Sequence, residues 1–279
     1  MTLRILHCPT DTGGNAWTLA EAERKLGLDA TVLVYHSTWL SYPCDVDLRL
    51  RERWFVGRVF AVSRLIRQAA RHYDVIHFNG GRSLMPSSLG PLSILGALDL
   101  PFLRQRGKGI VVTYQGCDTR RRSHCQEHYA ISACATECAT PCAPALDRHK
   151  ERMAGIFDRY AHTIFSLNPD LLRYLPPRAE FLPYTTVDLD EWRPRTPTPV
   201  PKGDRFVILH APTNRGIKGT RFIVQAVHQL QLEFPEVELL LVEDIPHSQV
   251  RALYEQADLV VDQLLVGWYG GLTVEAMAL

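Results

Sequence analysis

Three stretches carry residue types that could do chemistry together. In NRGIKG, Arg215 and Lys218 stand three residues apart just before a helical pattern. Arginine grips phosphate oxygens with a planar fork and lysine adds a compact positive charge, so the pair suits a phosphate ester. Gly216 and Gly219 let backbone come close to such a ligand. A solvated basic turn has the same composition. In GWYGGLTVEAMAL, Gly270 and Gly271 open a helix, and Glu275 follows one turn in. Bare amides at a helix start suit an anion, and an acceptor-only carboxylate suits hydroxyl groups. A tight helix entry with a glutamate favoured by the helix dipole is the plainer reading. In VVTYQGCDTRRR, Gln115, Asp118 and Arg120 follow an apolar run. Asp118 could orient a hydroxyl or simply make a turn. Arg120 could bind an anionic acceptor or a phosphate.

Five of the seven cysteines lie between Cys117 and Cys142. Thiolates at Cys125, Cys134, Cys138 and Cys142 could enclose a structural zinc, or an iron–sulfur cluster. No pair has C-x-x-C spacing, and reduced thiols are the equal alternative, with disulfides third. Cys134, Cys138 and Cys142 repeat every four residues as on one helix face, although Pro141 argues against an unbroken helix.

The elements that must position these residues alternate along the chain. LRILH (3–7), ATVLVYH (30–36), DVIHFN (74–79), GIVVTY (109–114), TIFSL (163–167) and EFLPY (180–184) read as strands separated by helical patterns. Unbroken apolar runs suit strands covered on both faces, and the alternation implies a parallel sheet. RPRTPTPVPKGD (193–204) reads as a semi-rigid linker. Beyond it RFVILHA, VELLLVE and DLVVDQL restart the pattern with helices between. This implies an N-terminal α/β domain over 1–192, with a cysteine-rich insertion at 117–142, and a second over 205–279. The second has few strands and ends inside a helix with no cap, which predicts a truncated C-terminal domain. Ligands of such sheets bind at the carboxyl ends of the strands, and a cleft between two units would collect both sets of loops.

Four stretches in order, DTGGNAW, LPYTTVDLDEWRP, HAPTNRGIKGT and GWYGGLTVEAMA, resemble the retaining, nucleotide-sugar-dependent glycosyltransferases of the GT-B fold, family 4. The resemblance implies two Rossmann-like doubly wound domains and a retaining hexosyltransferase-type enzyme. It implies a nucleotide-diphosphate-sugar donor held by Arg215, Lys218, Gly270, Gly271 and Glu275, with Glu275 on the ribose hydroxyls. Gly13, Gly14 and Asn15 would approach the diphosphate or the acceptor from the first domain. The protein then positions reactants and stabilises the departing phosphate, with Asp118 and Gln115 nearest the chemistry and no cofactor required. The acceptor is left open: a glycan, a lipid-linked molecule or a small molecule. The family usually has a second glutamate where this chain has Gly267, and a histidine where it has Gln115. Those departures motivate the alternative of a catalytically degenerate binding or assembly protein on the same fold. A GT-B epimerase or phosphorylase is the third option. The first domain shows no acid–base set for epimerisation, and no lysine suited to a pyridoxal cofactor stands out.

His77 and Asn79 end the third run. His77 fits either the acceptor side or a satisfied core histidine. Residues 49–71 place Phe55, Val59, Val62, Ile66 and Ala69 on one helical face, with Arg49, Arg53, Arg64, Arg67 and Arg71 opposite. Such a helix packs on a sheet and solvates its arginines, or it makes a peripheral membrane contact. The net charge of +1 and the lack of a basic tail speak against nucleic acid. The N-terminus reads as a strand and not as a signal peptide, which places the chain in the cytoplasm.

Overall fold

The computed structural model describes residues 2–85, 96–134, 138, 142–184, 187–194 and 205–279. It divides into two compact units. The first comprises Met1–Thr38, Tyr42–Arg121 and Pro144–Thr185; the second comprises Trp39–Ser41, Arg122–Ala143 and Thr186–Leu279. Most of the cysteine-rich stretch, read from the sequence as an insertion in the N-terminal domain, therefore groups with the second unit. The Ala133 N–H donates to the Leu265 carbonyl at 3.1 Å there. Of the proline-rich stretch only 193 and 194 lie among the described residues.

Unit 1 is a seven-stranded parallel sheet. Its strands are β1 (Arg4–Cys8), β2 (Asp29–Val34), β3 (Val46–Asp47), β4 (Val75–Asn79), β5 (Gly109–Tyr114), β6 (Thr163–Ser166) and β7 (Glu180–Phe181). Their order is β3-β2-β1-β4-β5-β6-β7, so the winding reverses between β1 and β4. The two-residue β3 carries no apolar run and is invisible in the sequence. Alternate residues of β1 serve opposite faces. Ile5 packs with Ala16, Ala20 and Val32 beneath α1 (Asn15–Lys25). Leu6 and Cys8 join a larger core with Val62 and Leu65 of α2 (Phe55–His72), Leu100 and Leu103 of α3 (Asp99–Gln105), and Phe157 of α5 (Pro144–Tyr160). The short α4 (Arg122–His128) belongs to unit 2.

The apolar stripe of α2 differs from its sequence reading. Val62, Leu65, Ala69 and Ala70 are buried, whereas Phe55 is exposed. Trp54 and Phe60 are 73% and 69% exposed. The helix begins only at Phe55, so this aromatic stands at its first position, outside the buried stripe.

Unit 2 has three parallel strands, β8 (Phe206–His210), β9 (Val237–Leu241) and β10 (Leu259–Val260), in the order β10-β8-β9. Helix α7 (Thr220–Glu233) covers one face, where Ile208 meets Ile223 and Val227. On the other, Leu209 meets Val250 and Tyr254 of α8 (His247–Tyr254) and Leu272 of α9 (Gly271–Met277). A four-residue helix, α6 (Arg215–Lys218), bridges β8 and α7. No described helix is long and apolar enough to cross a membrane.

Candidate functional site

In unit 2, two sequence stretches that lie far apart meet on one side chain. Asn214 starts α6 by accepting the Ile217 N–H at 3.0 Å, which leaves Lys218 on the last turn. Its Nζ donates to Asp262 Oδ1 at 2.7 Å. Asp262 follows β10 closely, and its Oδ2 accepts the Gly270 N–H at 2.6 Å and the Thr273 hydroxyl at 2.9 Å. The strand reading of DLVVDQL is cut short here, since Asp262 serves side-chain and loop contacts beyond the ladder. Gly270 sits close against the pair: a Cβ there would stand 2.9 Å from Lys218 Nζ and 3.1 Å from Asp262 Oδ2, so a side chain would push the ammonium aside. The structure thus brings Lys218 and Gly270 together, while the Gly270 amide, expected to face a phosphate, is given to Asp262. Gly271 is the first residue of α9.

The other donor-side candidates are placed differently. Arg215 forms a two-pronged pair with Glu243, with Nε at 2.8 Å from Oε1 and Nη2 on Oε2. Glu243 is held below the ordinary carboxylate range by that arginine. Glu275 is buried and bonds His247 Nε2 at 2.7 Å. His210, not singled out from the sequence, is buried at the end of β8. Its Nδ1–H donates to the Val261 carbonyl at 2.7 Å, and its Nε2 accepts from Thr220 Oγ1 at 2.8 Å. Burial lowers its pKa.

In unit 1 the glycine loop ends on Gly13 and Gly14, both with positive φ. Asp11 accepts the N–H groups of Ala16 and Trp17, at 3.0 and 3.3 Å, and so caps α1 with a carboxylate of the chain itself. Burial pushes Asp11 up to about 6 against the pull of those amides. Asn15 is buried and donates to the Thr12 carbonyl at 2.7 Å. The loop after β5 is built in the same way. Asp118 accepts the N–H groups of Gln115 and Gly116 at 2.9 and 2.6 Å, and burial raises its pKa. Its carboxylate therefore shapes the turn that presents Gln115. Arg120 is buried against Asp170 at 2.8 Å, and its carbonyl accepts from Lys150 Nζ at 2.6 Å.

His77 belongs to a buried polar chain across three elements. Parallel pairing sets His77 opposite His7, and their Nδ1 atoms lie 2.9 Å apart. His7 Nε2 bonds Glu23 of α1 at 2.7 Å, and His77 Nε2 bonds Thr113 Oγ1 at 2.7 Å. A carboxylate only accepts, so His7 Nε2 carries a proton. With His7 neutral, His77 Nδ1–H donates to it and Thr113 O–H donates to His77. Burial holds His77 well below the usual histidine pKa, and a proton on His7 would press it lower still. The core-histidine reading of His77 is the one this geometry matches. His7 and Glu23 left no signal in the sequence, because their relation depends on strand register.

Cys125 is buried on α4, and the Cys138 N–H donates to the Ala133 carbonyl at 2.9 Å. Among the described residues no three His, Cys, Asp or Glu side chains converge to hold a metal ion. The expected repeat of Cys134, Cys138 and Cys142 along one helix face falls partly on 135–137 and 139–141, which lie outside the described residues.

No family profile and no curated protein matches the chain in sequence. Solved structures do match. A protein assigned as a UDP-N-acetylglucosamine 2-epimerase from Listeria monocytogenes is similar over 99% of this chain and 72% of its own, at 14% identity and a TM-score of 0.50. The catalytic domain of Starch Synthase IV from Arabidopsis thaliana, bound to ADP and acarbose, is similar over 100% of this chain and 77% of its own, at 13% identity and a TM-score of 0.51. Likeness at that identity speaks for fold. With two parallel sheets, each covered by helices on both faces, the fold class is α/β of the GT-B type, built from two Rossmann-like units.

Proposed function

We propose that this chain is a glycosyltransferase that takes a sugar from a nucleotide-diphosphate donor and transfers it with retention at the anomeric carbon. Unit 2 is the donor side. The observation that carries the reading is the meeting of Lys218 with the Gly270 turn at the carboxyl ends of β8 and β10. Doubly wound sheets bind ligands at those ends. An ammonium, a main-chain amide and a hydroxyl on one centre form a donor set that a phosphate oxygen can accept from. The starch synthase domain on this fold holds a nucleoside diphosphate, ADP. Glu275, buried one turn further on, is the group to receive ribose hydroxyls, with His247 steadying it. Catalysis on this reading is positioning plus stabilisation of the leaving phosphate, with no protein nucleophile.

Unit 1 is the acceptor side, with Gln115 presented by the Asp118 turn beside Asn79. The Gln115 Nε2 and Asn79 Oδ1 atoms are 3.4 Å apart. The exposed Trp54, Phe55 and Phe60, with Arg51, Arg53 and Arg64 exposed nearby, give the acceptor side a surface suited to an anionic membrane. A lipid-linked acceptor fits that arrangement. Vesicles containing phosphatidylglycerol should sediment with the wild-type chain and much less with Trp54→Ser/Phe60→Ser; equal sedimentation removes the membrane contact.

The donor reading is tested by calorimetry with UDP, ADP and GDP. Lys218→Ala should weaken the nucleotide that binds by about 10- to 100-fold, the range of one hydrogen bond to a charged group. Its circular dichroism should stay that of wild type. Binding that ignores the substitution would remove Lys218 from the site. No binding of any nucleoside diphosphate would favour a degenerate member of the fold.

A further inference from the structure

We propose that Asp262 sets the anion specificity of unit 2: its carboxylate fills the place of a phosphate oxygen among Lys218, Gly270 and Thr273, and a phosphate ligand binds by displacing it. The inference rests on the donor reading above and adds a residue to which neither the sequence nor the comparisons give a role.

Both carboxylate oxygens are engaged. Oδ1 takes Lys218 Nζ at 2.7 Å, and Oδ2 takes the Gly270 amide at 2.6 Å and the Thr273 hydroxyl at 2.9 Å. The pair is withdrawn from water, with side-chain exposures of 14% for Lys218 and 7% for Asp262. A lysine held this way is neutralised by its partner and attracts a distant anion weakly. Carboxylate and phosphate oxygens accept from the same donors, so Asp262 and a ligand cannot both hold all three. Binding is then an exchange of anions, and the strength of the incoming anion decides whether it succeeds. Orthophosphate offers one phosphorus centre to replace a carboxylate that already has three hydrogen bonds. A diphosphate offers a second centre, within the chemistry of Arg215, which is 63% exposed and paired with Glu243 on the surface. Solvent reaches the guanidinium, so a second phosphate can compete with Glu243 for it. Asp262 thereby keeps Lys218 from binding small anions and yields to a diphosphate.

The test is calorimetry with inorganic pyrophosphate and orthophosphate on the full chain, its Asp262→Asn and Asp262→Ser variants, Lys218→Ala and the Asp262→Asn/Lys218→Ala double variant. Removing a repelling charge a few ångströms from the ligand should tighten pyrophosphate binding ~10-fold or more. Orthophosphate should gain at least as much, narrowing the preference for the diphosphate. Both gains should vanish in the double variant. Binding that depends on Lys218 but is equal or weaker in Asp262→Asn and Asp262→Ser overturns the role of Asp262 and leaves the donor reading intact. Pyrophosphate binding that is absent throughout, or indifferent to Lys218→Ala, overturns both. Failure of both Asp262 variants to fold makes the carboxylate a structural necessity, which also overturns the proposal.

Discussion

Asp99 shows how much a single residue's surroundings can cost. It opens α3, is buried, and accepts the Leu84 N–H at 2.7 Å. Burial lifts its pKa from 3.8 to about 6 despite that bond. Between those values the folded chain binds more protons than the unfolded chain, so stability falls as pH rises through the window. Asp99→Asn keeps an acceptor for Leu84 and removes the charge. Its stability relative to wild type should therefore be unchanged near pH 4 and higher by about 3 kcal/mol at pH 7.5. Urea denaturation at the two pH values measures this, and an equal difference at both would show that Asp99 is not the titrating group. The same contrast governs what was readable at this scale. Lys218 and Gly270 announced themselves through a local pattern of cation and glycine. Asp262 did not, because the lysine it holds lies 44 residues away. Arg120 looked available from its basic neighbours and is in fact spent on Asp170, 50 residues on.

At the scale of elements, β1, β4 and β5 do more than bury apolar side chains. Parallel register stacks His7 on His77, and Thr113 continues the chain, while α1 brings Glu23 to the other end. Unfolding frees His77 to protonate near 6.5, whereas the fold keeps it neutral. Below pH 6.5 the unfolded chain then binds the extra proton, so this contribution to stability is full above 6.5 and is lost as pH falls. It opposes the Asp99 effect between pH 4 and 6. Replacing His77 by Gln should flatten the acid limb of the stability profile by up to about 1.4 kcal/mol per pH unit. An acid limb of unchanged slope would mean that His77 is protonated in the fold. Most of these elements were legible in the sequence, since apolar runs bounded by glycines and polar loops mark buried strands. β3 was not, having two residues of which one is an aspartate, and the exposed aromatics of α2 were not, since a helical stripe does not say which end of it finds a partner.

For the whole molecule, the two units predict a localised response to ligand. A compound that binds one unit stabilises that unit by mass action and leaves the other as it was. Under saturating nucleoside diphosphate, hydrogen exchange should slow in β8, β10 and α9 and stay unchanged in β1 to β6. Protection confined to unit 1 would assign the nucleotide to the wrong half. The sequence by itself determined the α/β class, the winding of strands and helices into two units, and the lysine and glycines at one strand-end cluster. These follow from short-range patterns, because hydrophobic period and turn chemistry act over a few residues. Only the tertiary structure decided that Asp262 joins Lys218 to Gly270, that His7 faces His77, and that Asp11 and Asp118 spend their carboxylates on the chain's own amides. The first two depend on which strands lie side by side and in what register, and contacts spanning dozens of residues leave no local mark in the sequence; the last two are local, but an aspartate in a loop does not say whether its carboxylate turns to its own amides or outward.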